Sequence, residues 1–291
     1  MRINHNIAAM VGQNASRVQN NMLGKSLEKL STGLRINRAS DDAAGLSVSE
    51  ALRAQIRGLG QAQSNASDGI ALLQIAEGAA GEVASILQRM RELAIQSSNG
   101  TLTSTDRSYT NTEFNALMSE MDRISRSAQY NGMTLIDGSA GSFGASGGAN
   151  SVLHVGANNN GGAISGSTDT MNISMTSISL GALSLTLSGT GSTAITTQSA
   201  AFNAISSIDT AIGSVNSMRS NLGAYINRLD TTINNLANQF SNTSDAESRI
   251  RDVDFATETT QFTKAQILTQ ASMSMLAQAN TVPANVMQLL A

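Results

Sequence analysis

ISSIDTAIGSVNSMRSNLGAYINRLDTTINNLANQF, running from Ile205 to Phe240, decides how this chain folds. Its large apolar residues are Ile205, Ile208, Ile212, Val215, Leu222, Ile226, Leu229, Ile233, Leu236 and Phe240. They step by three and four, with one step of seven across Met218 and Arg219. That is a heptad seam held for about five heptads, the pattern by which a helix builds a coiled-coil face. No proline interrupts it, and Asn, Ser, Thr and Asp fill most outward positions. At about 1.5 Å per residue the helix is roughly 50 Å long. Such a stripe cannot be buried on its own helix, so a partner helix is required. An ordinary amphipathic helix of a globular bundle is the competing reading, and the sustained length argues against it.

The chain has 291 residues, enough for about two domains. It holds no cysteine, no tryptophan and one proline, Pro283, and only 3% of it is aromatic. That argues against an aromatic-rich sandwich and fits helices packed through Ala, Leu, Ile and Met. Charged residues make up 13%, against a usual share of roughly 25%. A net charge of −3 offers no electrostatic footprint for nucleic acid. A surface so poor in charge suits a chain largely covered by copies of itself. No segment reaches the roughly 18 uninterrupted apolar residues of a membrane span, so no membrane partner is expected. The opening Met-Arg-Ile-Asn-His-Asn lacks the features of a cleaved secretory signal. Missing cysteines fit a cytoplasmic chain, and equally an exported one that must stay free of disulfides.

From Ile3 to about Thr32 a helix is expected, with Ile7, Val11 and Val18 on one stripe, and with Leu23, Leu27, Leu30 and Leu34 stepping by four, three and four. Its first half is rich in Asn and sparse in large apolar groups, so it should be ordered only when its face is covered. Gly33 breaks the pattern, and Ser40, Asp41 and Asp42 supply oxygens to cap the next helix. An acidic pair can also signal metal or acid/base chemistry, but no further ligands cluster nearby. The next helix spans roughly Ala44 to Gln96, on a seam of Leu52, Ile56, Leu59, Ala66, Ile70, Leu73, Ala80 and Leu87. Gly58, Gly60, Gly69, Gly78 and Gly81 lie within it, either breaking it or letting neighbours approach closely. A third helix is expected from about Asp106 to Ala128, with Phe114, Leu117, Met121 and Ile124 inward.

At Tyr130 the character changes. Asn131-Gly132 signals a hairpin with short strands around Met133 and Leu135. Ser139 to Gly166 is mostly Gly, Ser, Ala and Asn, with Ser151 to Val155 a possible strand. Ile173, Met175, Ile178, Leu180, Leu183, Leu185 and Leu187 alternate with polar residues, as half-buried strands do. A small β-rich insert therefore separates two helical halves, and a short Gly/Ser linker in place of 139–197 is expected to leave assembly between copies of the chain intact. Ser241 to Asp252 reads as a polar joint before a last helix that Pro283 should kink. Val286, Met287, Leu289 and Leu290 form an apolar C-terminal tail that only other subunits could cover.

The fold class expected is mainly α: long antiparallel coiled-coil helices formed by the N- and C-terminal halves, with a small β-rich insert. Catalysis is not expected. His5 and His154 are the only histidines, and no His/Asp/Glu cluster has metal spacing. No catalytic, cofactor-binding or metal residue is assigned, and no cofactor.

Several long motifs resemble bacterial flagellin. Met-Arg-Ile-Asn-His-Asn opens the chain, followed by Leu27-Glu28-Lys29-Leu30-Ser31-Thr32-Gly33-Leu34-Arg35-Ile36-Asn37 and Ser40-Asp41-Asp42-Ala43-Ala44-Gly45-Leu46. Ala265-Gln266-Ile267-Leu268, Leu276-Ala277-Gln278-Ala279-Asn280, Val282-Pro283 and Leu289-Leu290 resemble the family's other end. The resemblance covers about residues 1–138 and 198–291, and the segment 139–197 stands outside it.

The resemblance implies a structural subunit that self-polymerises into the flagellar filament for motility. It also implies export, unfolded and without a cleaved signal, through the flagellar type III channel. Residues 1–45 with 246–291 would form an inner, channel-lining coiled coil. Residues 46–138 with 198–245 would form a helical rod domain, and 139–197 an outward-projecting insert. Implied partners are other copies of the chain, the flagellin export chaperone, the filament cap and the hook–filament junction protein. The host Toll-like flagellin receptor is a further one. For that receptor, Leu87-Gln88-Arg89-Met90-Arg91-Glu92-Leu93-Ala94 matches the family's recognition motif, placing contacts at Gln88, Arg89, Leu93 and Glu113. Read from the residues alone, the same face could be subunit packing. Localisation follows as secreted, in a filament either outside the cell or in the periplasm. The runner-up is a hook–filament junction protein of the same two-ended helical plan. A non-flagellar coiled-coil scaffold would not explain the apolar tail.

Overall fold

A computed structural model describes residues 6–138, 143, 152–158, 169–179, 183 and 194–290, with side chains as far as Thr281. Five helices carry the described chain: α1 (Ile7–Thr32), α2 (Ala43–Ser98), α3 (Ser104–Ser127), α4 (Gln198–Arg251) and α5 (Phe255–Leu290). Four short strands lie between α3 and α4: β1 (Gln129–Tyr130), β2 (Met133–Thr134), β3 (Val152–His154) and β4 (Thr170–Asn172). The architecture is mainly α, as expected. It divides into two compact units, one of Met1–Gln55 with Ser241–Ala291, the other Ile56–Phe240. Helices α2 and α4 each begin in one unit and end in the other.

The larger unit is built on α2, α3 and α4. Arg91 Nε donates to Asp209 Oδ1 at 2.6 Å, and Gly69 lies beside Leu229, so α2 and α4 run antiparallel. Helix α4 buries Ala201, Ala204, Ile208, Ala211, Val215, Met218, Leu222, Leu229 and Leu236. The large residues Ile205, Ile212, Ile226 and Ile233 flank that line, half-buried against the core. Met218, which reads as an interruption in the sequence, is 1% exposed, whereas Phe240 is 40% exposed. The centre of the seam is thus set partly by alanines, which have no long side chain to hold two helices apart. Helix α2 is long and apolar enough to cross a membrane by length and composition alone. Leu72, Leu73, Ala76, Ala80, Val83 and Leu87 of this helix are core residues.

Helix α3 starts at a capping box, with Thr103 Oγ1 accepting from Asp106 N and Asp106 Oδ2 accepting from Thr103 N. Its Phe114, Met118 and Met121 are fully buried. Asn131 and Gly132 both take positive φ, 50° and 77°, and join β1 to β2 in register Gln129↔Thr134. Both central residues of a type I′ turn require that conformation.

The described part of segment 139–197 is not a detachable insert. Val155, Met171, Ile173, Ile178, Leu183 and Ile195 belong to the same core as the helices. Strand β3 pairs antiparallel with β4 and lies on α2, where Asn65 Nδ2 donates to the His154 carbonyl at 3.1 Å. Gly58 and Gly69 explain the approach. A Cβ at Gly58 would sit 3.2 Å from Ala157, and one at Gly69 would meet Leu153. Gly60, Gly78 and Gly81 face open space, and α2 runs unbroken through all five. A Gly/Ser linker in place of 139–197 would therefore strip side chains from the core. The strand expected over the Ile173 run is instead β4, ending at Asn172; residues 173–178 are not in a strand, though Ile173 and Ile178 are buried. Leu180, Leu185 and Leu187 lie outside the described residues.

In the smaller unit, α1 and α5 pack antiparallel. Asn6 Nδ2 donates to the Ala279 carbonyl at 2.9 Å, Leu276 lies against Gly12, and Lys29 pairs with Glu258 at 3.8 Å. Gly33 ends α1 with φ 72°, its N–H reaching the Lys29 carbonyl. The polar joint expected from Ser241 to Asp252 is helix as far as Arg251, so the break narrows to Asp252–Asp254. Asp254 restarts the chain as α5 by accepting from the backbone N–H of Ala256 and of Thr257. Helix α5 carries through position 283 to Leu290.

A joint ties the two turns of this unit together. Arg35 N donates to the Arg251 carbonyl at 2.6 Å, Val253 N to the Gly33 carbonyl at 3.0 Å, and the Arg35 guanidinium to the Ile250 carbonyl. Arg251 Nη1 lies 2.6 Å from Glu50 Oε1. That hydrogen bond holds the Glu50 carboxyl below its ordinary value of 4.5. A depressed carboxylate contributes stability that is complete above its unfolded value and is lost as pH falls through the folded one. Protection of the Arg35 and Val253 amides from hydrogen exchange should therefore fall on acidification below 4.5. Glu50→Gln should flatten that response. An unchanged response in the variant would remove Glu50 from the joint.

Candidate subunit interface

The α1/α5 pair is two antiparallel helices with almost no interior. Only Ser26 of α1 is buried, and among the described side chains of α5 only Ala265. Two amphipathic helices in contact can each hide one stripe, yet these helices carry apolar groups around more of their circumference. Ile7, Met10, Val11, Val18, Met22 and Leu27 of α1 are all exposed, as are Phe255, Ile267, Leu268, Met273 and Met275 of α5. Ile7, Val11, Val18 and Met22 step by four, seven and four, so they form one stripe. Met22 and Leu268 also line a groove of about 560 Å³ between the two helices, together with Lys25, Lys29 and Lys264. A contiguous apolar face of this kind marks an interaction surface. The tail residues Val286, Met287, Leu289 and Leu290 continue α5, and their side chains lie outside the described residues.

The second surface lies on α2 and α3. Arg89 is held by two carboxylates: Nη2 is 2.8 Å from Glu113 Oε1, and Nη1 is 2.9 Å from Glu92 Oε2. The hydrogen bonds it donates to Glu113, and then to Glu92, raise the guanidinium pKa above its usual value. Gln88 is exposed beside it. Leu93, expected on the same accessible face, is 1% exposed and belongs to the core. Leu87, Met90, Ala94 and Ser97 step by three, four and three along the buried side of α2. Leu93 is the neighbour of Ala94 and three residues from Met90, so it turns inward while Arg89 turns outward. A partner docking on this unit can reach Gln88, Arg89 and Glu113, but not Leu93.

Among the described residues, no group of three His, Asp or Glu is placed to hold a metal ion. His154 is exposed on β3, and His5 lies outside the described residues. Sequence periodicity missed Met10, Met22, Met273 and Met275 as surface groups. Their only signal was an excess of apolar residues over what one helix stripe can use.

Fold and surfaces together define a helical structural subunit whose two chain ends pair and present apolar faces outward. A family model for the bacterial flagellin N-terminal helical region matches residues 3–141, and one for the C-terminal helical region matches 205–290. Over 290 residues the chain is 47% identical to a flagellin of Halalkalibacterium halodurans, covering all of both chains. It is 43% identical over 295 residues to a flagellar filament 33 kDa core protein of Treponema phagedenis, again covering all of both. Among solved structures, one assigned provisionally as a flagellar hook-associated protein of Vibrio parahaemolyticus has a TM-score of 0.54. It covers 73% of this chain and 100% of its own at 19% identity, a likeness of fold. The chain belongs to the bacterial flagellin family, and it is a structural subunit of the flagellar filament.

Proposed function

We propose that this subunit polymerises through its chain ends, burying the apolar faces of α1 and α5 against other copies. The exposed stripe Ile7, Val11, Val18 and Met22 carries this reading. Burial of each such side chain contributes about 1.5–3 kcal/mol, enough over four positions to drive association. In this scheme residues 1–45 with 246–291 form the inner, channel-lining layer. Residues 46–138 with 198–245 form the rod around it, and 139–197 lies on the outside. The chain leaves through the flagellar type III channel, helped by an export chaperone, and adds beneath a cap beyond the hook–filament junction protein. Full-length likeness to a filament core protein supports a main filament subunit over a junction protein. Both a filament outside the cell and one in the periplasm accommodate this scheme. Purified protein seeded with sheared filaments should yield long sedimentable polymers. Material that stays in the supernatant at all concentrations would exclude the scheme.

Gln88, Arg89 and Glu113 are the proposed contact for the host Toll-like flagellin receptor. An arginine at an interface centre often contributes about 2 kcal/mol or more, and 1.4 kcal/mol is tenfold. Arg89→Ala should weaken receptor binding by the monomer more than about tenfold, measured by surface plasmon resonance. Glu113→Ala should weaken it less, because Arg89 keeps Glu92 as a partner. Undiminished binding by the Arg89 variant would leave the ion pair as a link between α2 and α3 alone.

A further inference from the structure

The described methionines divide sharply by unit. Met90, Met118, Met121, Met171 and Met218 are buried in the larger unit at 5% exposure or less. Met10, Met22, Met273 and Met275 are each more than half exposed, and all four lie on α1 and α5. Met133 and Met175 are half-buried. Oxidation of a methionine sulfur follows access, and it turns a flexible apolar side chain into a polar one. In the free subunit that access therefore concentrates on the helices whose apolar faces are proposed to drive assembly.

We infer that Met10, Met22, Met273 and Met275 form an oxidation-sensitive site that controls self-association of the subunit, with peroxide as the oxidant. Each thioether sulfur gives an electron pair to one oxygen of hydrogen peroxide. The S–O bond forms as the O–O bond breaks, and proton transfer releases water. Sulfur loses two electrons and peroxide gains them. The product sulfoxide places a strong hydrogen-bond acceptor on a face meant to be buried. Met22 shares its stripe with Ile7, Val11 and Val18 and lines the α1/α5 groove, so a sulfoxide there falls within the face itself. A polar group buried without a donor is unfavourable, so the oxidised subunit should assemble only at higher concentration. The larger unit should be unaffected, because its methionines lie in the core.

This inference rests on the polymerisation proposed above, and the experiment separates the two. Untreated full-length protein is first seeded; failure to polymerise would overturn the polymerisation reading and this inference with it. Monomer is then treated with hydrogen peroxide, freed of it, mapped by peptide mass spectrometry and seeded again. Sulfoxide should accumulate at positions 10, 22, 273 and 275 before 90, 118, 121 and 218. The critical concentration should rise by about tenfold or more. Methionine sulfoxide reductases specific for each epimer should restore it. A chain with all four exposed methionines changed to leucine, a volume-conserving substitution, has no sulfur at these positions, so whatever critical concentration it shows should be unchanged by peroxide. Peroxide sensitivity equal to the parent's in that chain would overturn the inference, as would normal assembly of subunits oxidised at all four sites. Should the leucine chain not assemble, restoration by reductase decides: recovery of the oxidised parent supports the site, and no recovery overturns it.

Discussion

A chain carrying Val11→Asp and Val18→Asp is expected to fold as the parent does and to fail in filament assembly. Both valines are exposed in the subunit, 63% and 48%, so neither substitution removes core packing. Surface changes away from special features usually stay within about 0.5 kcal/mol. In a polymer that covers this stripe, each substitution forfeits about 1.5–3 kcal/mol of apolar burial. It also brings an unpaired carboxylate out of water, a penalty of several kcal/mol. Even the lower bound of burial alone, about 3 kcal/mol for the pair, raises the critical concentration by roughly a hundredfold. Circular dichroism should match the parent while sedimentation shows monomer. Filaments at the parental critical concentration would mean that the stripe faces solvent in the polymer.

Phe114→Ala should have the opposite signature. Phe114 is fully buried among Met118, Met121 and the residues of α2 and α4, so truncation leaves a cavity in the larger unit. Phenylalanine-to-alanine changes in cores cost about 3–5 kcal/mol, a large share of a domain's stability. Tyr109, five residues earlier on the same helix, is 71% exposed, and Tyr109→Ala should change stability by less than about 0.5 kcal/mol. Urea denaturation followed by circular dichroism distinguishes the two. Equal midpoints would show that α3 does not contribute to the core. The pair of variants also separates folding from assembly: one loses stability in the larger unit, whereas the valine double variant loses only the polymer.

The helices were legible because their periodicity is local. Leu59, Leu73 and Leu87 on α2, Phe114 and Met121 on α3, and Leu222 and Leu229 on α4 all occupy the buried side that their spacing predicts. So was the β1–β2 turn, since Asn131 and Gly132 are the residues that accept positive φ. The end of α4 was not. A run of Ser, Asn, Thr and Asp from 241 to 245 resembles a loop, yet helix persists to Arg251, where its last carbonyls meet Arg35 from a turn 215 residues earlier. No local window contains that contact.

Sequence by itself determined that long helices from both ends must seek partners, because apolar residues at heptad spacing cannot be buried on a single helix. It determined too that the surface would be poor in charge. Only the tertiary structure decided which side of each helix is inside. It moved the centre of the α4 seam onto Ala204, Ala211 and Met218, because close approach favours small and adaptable side chains over the isoleucines beside them. It turned Leu93 into the core four residues from an outward Arg89, because the curvature of a helix separates the two at the edge of its buried face. And it joined Ile173 and Ile178 to the helical core, because a strand pair laid over Gly58 and Gly69 brings them within reach of it, a proximity that spacing along the chain cannot encode.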